Sequence, residues 1–218
     1  MDMDLARSIQ EVTEEIVMRM ARHVYKVTGE KYLCLAGGVA LNCVANGKLL
    51  REGPFDDIWI QPAAGDAGGA LGAALFTWYQ YLDNPRSADN HKDSQRGSYF
   101  GPEYSNQEIE SFLNKHSIPY SQFDGEIIDR TVEILTQEKV VGWFQGRMEF
   151  GPRALGNRSI IGDARSPKMQ RKMNLKIKYR ESFRPFAPTI LAERISDYFE
   201  IDRESPYMLL VAQLKKER

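Results

Sequence analysis

Gln145–Phe186, QGRMEFGPRALGNRSIIGDARSPKMQRKMNLKIKYRESFRPF, is the stretch from which the rest of the chain is best read. Eleven of its residues are basic and three, Glu149, Asp163 and Glu181, are acidic, a local excess of eight positive charges. The whole 218-residue chain carries a formal net charge of −1, so the remaining residues together carry about nine negative charges. Positive charge concentrated in this way on a folded domain implies an anionic partner.

The residues between the charges narrow the choice of anion. Gly146, Gly151, Pro152, Gly156, Asn157 and Ser159 let the backbone turn tightly and approach a ligand. Arginine presents a planar fork that matches phosphate or carboxylate oxygens in pairs, whereas lysine acts as a point charge. A glycine-punctuated loop with three arginines therefore suggests a pocket for a compact anion such as a triphosphate or an acyl phosphate. Two alternatives stay open: a solvated basic face, and a patch that tracks nucleic acid. The second is disfavoured, because the chain is slightly acidic overall and most of its aromatic residues lie in expected strands and helix faces outside the basic stretch.

Composition sets outer limits. With 42% hydrophobic and 27% charged residues, the sequence is that of a globular protein with room for one or two domains. No apolar run approaches the roughly twenty residues that span a bilayer, so no membrane partner is expected. The N-terminus, MDMDLARSIQ, has no hydrophobic signal core, which points to the cytoplasm. Cys34 and Cys43 are too few for a disulfide framework and read as reduced core residues.

In chain order, Ile9, Val12, Ile16, Val17, Met20, Val24 and Val27 form one stripe of a helix over 8–28 that ends near Gly29. A buried strand is expected at Lys31–Leu35. Ala36, Gly37 and Gly38 then turn the chain into a helix over Val39–Arg51, with Asn42 one turn inside it. Asp56–Ile60 reads as another strand. The small residues after Pro62, led by Asp66, predict a helix able to lie close against a neighbouring strand. Phe76–Leu82 is an aromatic cluster, and the polar run 83–98 is the linker.

Beyond the linker, Ser105 and Glu108 form a capping box for a helix whose core face holds Ile109, Phe112 and Leu113. A second helix is expected at Glu126–Gln137, a strand at Lys139–Phe144 and a further strand at Ser159–Ile161. Pro167 starts a helix through Lys176. The tail reads as a helix over Ile190–Phe199 and a buried strand over Pro206–Val211. This alternation of strands and helices makes the fold class α/β.

Phe150–Ile160, FGPRALGNRSI, followed by Met173–Pro188, MNLKIKYRESFRPFAP, resembles the signature of the nodulation-type O-carbamoyltransferases. Those enzymes join an actin-like, sugar-kinase-like domain to a YrdC-like domain. The resemblance implies that 1–82 is the C-terminal part of the actin-like domain. It makes 83–98 the linker and 99–218 a YrdC-like α/β domain with a twisted mixed sheet. It covers the whole chain, while the chain corresponds to only a C-terminal portion of the family's length, with both ends falling inside it.

The resemblance also assigns roles. Leu35–Leu49, LAGGVALNCVANGKL, is similar to the segment that holds an adenylate, which makes Gly37, Gly38 and Asn42 nucleotide contacts. Asp66 becomes a ligand to a divalent metal such as iron, completed in the family by two histidines with no counterpart here. His23, His91 and His116 are not paired for chelation and read as incidental surface residues. Arg153, Arg158, Ser159, Lys176, Arg180 and Arg184 are implied to bind carbamoyl phosphate and ATP with its Mg²⁺, with Arg153, Arg158 and Lys176 catalytic. Glu149 is read two ways, as orienting one of those arginines or as holding magnesium.

The reaction so implied is formation of a carbamoyl adenylate and transfer of the carbamoyl group to an acceptor hydroxyl. It needs anions brought together and their repulsion offset, and no nucleophilic side chain. The expected assembly is a homo-oligomer, or a complex with a partner chain that supplies the N-terminal half. The rival readings are a nucleotide-binding remnant or subunit without turnover, and an RNA-binding or tRNA-modification module of the YrdC type.

Overall fold

A left-handed glycine ends the first element. Gly29 adopts φ 68° and donates its N–H to the Tyr25 carbonyl, stopping helix α1 (Asp2–Thr28), as a C-terminal glycine commonly does. Asp2 and Asp4 in the first turn and Lys26 in the last suit the helix dipole. Arg7–Glu11 and Arg19–Glu15 pairs, one turn apart, brace its solvent side. The computed structural model describes residues 1–89 and 92–217, and the described residues divide into two units. The first comprises 1–98, 150–153 and 189–218, and the second comprises 99–149 and 154–188.

In the first unit α1 is followed by β1 (Tyr32–Leu35), a 3-10 turn (Gly38–Leu41), α2 (Cys43–Glu52), β2 (Asp57–Ile60) and α3 (Asp66–Phe76). β1 and β2 are parallel, with Tyr32 opposite Asp57 and Leu35 opposite Ile60. This is a strand, helix, strand unit whose two strands end together, delivering the turns after Leu35 and Ile60 to one edge. Leu49, Met18, Ala21 and Phe55 form one core cluster, with the Tyr25 and Phe55 rings edge to face at 5.6 Å. A second cluster joins Ala40, Ile60 and Ala64 to Leu209 from the tail.

Several expectations change here. β1 is not a buried strand: exposed and half-buried residues alternate along it, as on a sheet covered on one face. Cys34 consequently stands exposed and Cys43 half-buried, so neither is a core residue, and both are free. The predicted helix over 39–51 is split. Gly38–Leu41 winds as 3-10 turn, and Asn42 is the N-cap of α2, its side chain accepting the Ala45 N–H. A side chain that caps a helix start cannot lie one turn inside it.

On α1, Met18 and Ala21 are the buried residues, while Ile9, Val12, Ile16, Met20, Val24 and Val27 remain exposed. The small-residue face of α3 is likewise not packed on a strand among the described residues, and a Cβ at Gly69 or Gly72 would meet nothing. Phe76 at the end of α3 and Trp78 and Tyr81 in the turn after it are exposed too. His23 is exposed, and His91 lies outside the described residues.

The tail belongs by its contacts to the first unit. Asn46 on α2, 2% exposed, donates from its side chain to the Ala40 and Leu209 carbonyls. The Val211 N–H reaches the Cys43 carbonyl, and Tyr207 Oη accepts the Gly97 N–H. The strand expected at Pro206–Val211 does not form, because Met208 takes φ 55°, outside extended geometry. The expected helix over 190–199 is reduced to a 3-10 turn and α7 (Ile195–Tyr198).

The second unit holds α4 (Asn106–Lys115), α5 (Ile127–Thr136), β3 (Val141–Phe144), β4 (Arg158–Ile161) and α6 (Met169–Met173), which runs on into a π turn over Asn174–Lys178. The capping box forms as its sequence requires, with Ser105 accepting the Glu108 N–H and Glu108 accepting the Ser105 N–H. Phe112 nonetheless stands exposed, with Ile109 and Leu113 half-buried. β3 and β4 pair antiparallel, with Val141 opposite Ile161 and Phe144 opposite Arg158. Two two-stranded sheets make a mixed α/β chain; no larger mixed sheet is present among the described residues.

The tail's attachment yields a test. Asn46→Ala leaves two inward carbonyls without their donor, which costs about 1–3 kcal/mol for each group left buried and unpaired. Limited proteolysis should then release a fragment beginning near residue 199 faster than in the wild type, with the α1 signal in far-UV circular dichroism retained.

Candidate functional site

The basic loop is organised by an acidic residue. Glu149, 7% exposed, turns Oε1 inward to accept the backbone N–H groups of Leu155, Asn157 and Arg158 at 2.8, 2.8 and 3.2 Å. Burial pushes its carboxyl pKa up, but those three N–H donors outweigh burial and hold it below its ordinary value. Asn157, 8% exposed, extends the brace by donating its side-chain amide to the Arg147 carbonyl and accepting from Gln145. Tyr99 donates to the Leu155 carbonyl at 2.7 Å, and burial together with the Glu149 charge raises its pKa. The contact the geometry supplies for Glu149 is neither of the two readings: its carboxylate grips backbone N–H groups of the loop rather than an arginine side chain.

Arg158 is committed to the same brace. Its guanidinium lies 3.5 Å from the centroid of the Phe144 ring. Nη1 donates to the Gln145 and Asn157 carbonyls, and Nη2 to those of Gly146 and Pro102. Ser159 Oγ accepts the Gly156 N–H at 3.0 Å. Both residues close the β3–β4 loop, a role the sequence reading did not foresee for them.

A second cluster forms around Asn174, which is fully buried. Its side-chain amide donates to the Ser182 and Arg184 carbonyls, its Oδ1 accepts Arg180 Nε at 2.6 Å, and its backbone carbonyl accepts the Arg180 N–H. Arg180 also lies 4.9 Å from the Phe186 ring centroid, and Arg184 pairs with Glu181 at 3.0 Å. Lys176 and Lys178 stand exposed on the turn between. Asn174 organises this cluster, a structural role that sequence reasoning missed; its only signal was a lone asparagine inside a cationic run.

The first unit brings together a different set. The Gly37 N–H donates to the Ala64 carbonyl at 2.8 Å, tying the turn after β1 to the turn after β2. Gly37 sits at φ 96°, a conformation that strains any other residue. Asn42 exchanges side-chain hydrogen bonds with Gln10 of α1, and Asp66 stands exposed in the first turn of α3. Four residues of the basic loop, 150–153, complete this unit. A Cβ at Gly151, itself at φ 122°, would lie 3.2 Å from the Ala63 Cβ, and Arg153 Nη2 donates to the Leu41 carbonyl at 2.9 Å.

Arg153 and Arg158, five positions apart, therefore serve different units. Arg153 Nε is buried with no partner, a deficit of about 1–3 kcal/mol wherever a donor is left unmade. Two clefts in the first unit lie away from these residues: one is lined by Leu50, Asp56, Arg203 and Val211, the other by residues of α1 with Lys48 and Glu52.

The metal expected at Asp66 was tested against the side chains present. No group of three or more His, Cys, Asp or Glu residues that could hold an ion occurs among the described residues. Asp66 could furnish one ligand of a divalent cation and no more, so the residues present do not fit a closed metal site. No helix among the described residues is long and apolar enough to cross a membrane.

Two family descriptions match the chain, Carbamoyltransferase N-terminus over residues 1–75 and Carbamoyltransferase C-terminus over residues 132–218. The Synechocystis protein sll1178 is 60% identical over 219 residues, an alignment covering 99% of this chain and 35% of that protein. Nodulation protein NolO of Bradyrhizobium diazoefficiens is 44% identical, covering 98% of this chain and 39% of its own length. Nodulation protein U of Rhizobium fredii is 36% identical over 88% of this chain and 30% of its own. The chain thus spans 30 to 39% of the length of these three relatives.

The Glu149 brace makes a prediction with a definite sign. A carboxyl whose pKa is lowered on folding contributes stability that is present above its ordinary value, 4.5, and lost as pH falls through the folded value. Glu149→Gln should therefore lower the thermal midpoint at pH 7, by the equivalent of about 1–3 kcal/mol. The gap from wild type should narrow as pH falls below 4.5, measured by thermal melts across pH.

Proposed function

The chain belongs to the carbamoyltransferase family, and on that membership we propose that it forms a carbamoyl adenylate for transfer to an acceptor hydroxyl. Its first unit is read as the end of an actin-like domain, and its second as YrdC-like. The observation that carries the proposal is the Asn174 cluster. A fully buried asparagine fixes a turn that presents Lys176, Lys178, Arg180 and Arg184 within nine residues. Cations fixed before the substrate arrives stabilise developing charge without reorganising, which is the main demand of phosphoryl and adenylyl chemistry.

The atom balance defines the steps. Release of pyrophosphate from ATP requires an oxygen nucleophile at the α-phosphorus. Carbamoyl phosphate supplies one when water splits it to carbamate and inorganic phosphate. A carbamate oxygen then attacks the α-phosphorus, the bond to the β-phosphate bridging oxygen breaks, and pyrophosphate leaves. In the second half-reaction an alcohol oxygen takes the carbamoyl carbon and AMP leaves, the alcohol proton passing to solvent or a base.

In this reading Lys176, Arg180 and Arg184 face the polyphosphate and its Mg²⁺ in the second unit. Arg158 and Ser159 shape the loop beside them by holding its carbonyls and amides. Gly37, Gly38 and Asn42 in the first unit meet the nucleotide of the adenylate. The acceptor class is a hydroxyl, a reading supported by relatives named nodulation proteins NolO and U. The exposed stripe of α1 supports an assembly in which a further polypeptide surface, from a second copy or a partner chain, covers it. A cytoplasmic location is part of the same proposal.

Pyrophosphate release from ATP by the purified chain should depend on carbamoyl phosphate. Lys176→Ala should lower the rate roughly 100-fold, the scale of removing one preorganised charge stabiliser. Asn174→Ala should also lower it while moving the thermal midpoint, because it frees Arg180 and two carbonyls. An unchanged rate in Lys176→Ala, or inorganic phosphate with ADP in place of pyrophosphate, would overturn the assignment.

A further inference from the structure

Helix α1 is apolar on two sides, and only one of them is packed. Met18 and Ala21 lie in the core with Leu49 and Phe55. Ile16 precedes Met18 by two residues, which sets it roughly 160° away round the helix axis. It is the middle of an outward stripe on which Leu5, Val12, Ile16, Met20 and Val27 are 49 to 68% exposed. From Leu5 to Val27 the stripe covers roughly 33 Å of helix at 1.5 Å per residue. A helix apolar all round belongs in an enclosed place, and a continuous apolar strip of this length is a contact surface.

The charges beside the stripe indicate what covers it. Residues 2–15 hold five acidic side chains and one basic, whereas residues 16–28 hold three basic and none acidic. Glu14 is turned to the packed side, where Lys48 pairs with it. Asp4, Glu11, Glu15, Arg19, Arg22 and Lys26 are all exposed and fall along one flank of the outward stripe, acids first and bases after. The helix dipole accounts for Asp4 and Lys26, in the end turns. It does not account for Glu11, Glu15, Arg19 and Arg22, because its influence fades beyond the first and last turns.

We propose that α1 is a self-association surface: two copies of this chain pair their α1 helices antiparallel along the outward stripe, about a twofold axis at Ile16. Ile16 then meets Ile16 of the second copy, Val12 meets Met20, and Leu5 meets Val27. A twofold axis keeps the charged flank on its own side while reversing its direction, so the acids of one copy lie beside the bases of the other. Glu15 comes beside Arg19, Glu11 beside Arg22 and Asp4 beside Lys26. Glu15 and Arg19, already paired within one helix, close a ring of four alternating charges around the axis. A parallel pair would set acids beside acids and bases beside bases, which the same charges oppose. The assembly proposed above is thereby narrowed to a second copy, and the inference rests on that assembly reading alone, not on the adenylating chemistry.

The test is the association state of the purified chain, by analytical ultracentrifugation without nucleotide. Wild type should sediment as a reversible dimer at micromolar concentration. Ile16→Glu should be a monomer with its far-UV circular dichroism unchanged, since Ile16 takes no part in the core. Glu15→Arg and Arg19→Glu should each weaken the dimer roughly tenfold or more by placing like charges together. Mixed one to one, these two variants should recover the wild-type association, because the reversed charge of one then meets the reversed charge of the other. Both also lose the intrahelical Glu15–Arg19 pair, which mixing cannot mend. With Cys34 and Cys43 replaced by serine, Ile16→Cys should cross-link to a second copy on mild oxidation, and Leu5→Cys should do so only when mixed with Val27→Cys.

A monomeric wild type, a dimer that Ile16→Glu leaves intact, or no recovery on mixing would each overturn the inference. The first of these would leave the stripe to a partner chain, the other form of the assembly reading. Self-cross-linking of Leu5→Cys would also overturn it, because that contact belongs to a parallel pair. No nucleotide is present and no pyrophosphate is measured, so failure here is distinct from failure of the adenylating reaction, which the wild-type pyrophosphate assay decides.

Discussion

Eleven cations in forty-two residues repel one another, and the second unit depends on the way that repulsion is contained. Glu149 supplies one fixed negative charge from inside. Its carboxylate is almost wholly withdrawn from water, yet stays charged because three backbone N–H groups converge on one oxygen. The negative charge so fixed sits in the same loop as Arg147 and Arg158. Removing it would leave one buried and two part-buried N–H donors without their acceptor.

The same economy recurs at Asn174. A neutral amide with two donors and one acceptor satisfies two carbonyls and one guanidinium at once, and it does so with no exposed surface. Buried polar networks that are fully satisfied specify a single arrangement, since every alternative leaves a group unmade. The cationic turn is therefore rigid because of a residue that carries no charge. In the first unit Asn46 works alike, tying the 3-10 turn and the returning tail to α2.

Much of this was legible in the residues. The C-terminal end of α1 followed from Gly29, though the helix starts at Asp2, six residues before the periodic stripe suggested; the start of α4 followed from the Ser105 and Glu108 box, and β3 from a β-branched and aromatic run. Each depends on neighbours within a few positions. What failed depended on distant partners. Whether β1 is buried, whether Cys34 lies in a core, and whether the tail pairs as a strand are set by how many surfaces cover them, which local pattern does not encode. At the site, the arginines were visible but not their allegiance. Nothing in GPRALGNR distinguishes an arginine that bonds the Leu41 carbonyl, 112 positions away, from one that folds back on its own loop. Asn174 and Glu149 act through their burial, and burial of a polar residue is the property sequence discloses least.

The role proposed for the second unit is activation of a carbamoyl group as an adenylate. The most direct measurement is exchange of labelled pyrophosphate into ATP by the purified chain, with and without carbamoyl phosphate. Exchange that appears only with carbamoyl phosphate is the predicted result, because the adenylate must form reversibly for the label to enter. ATP binding with no exchange, or release of ADP and inorganic phosphate in place of pyrophosphate, would contradict it.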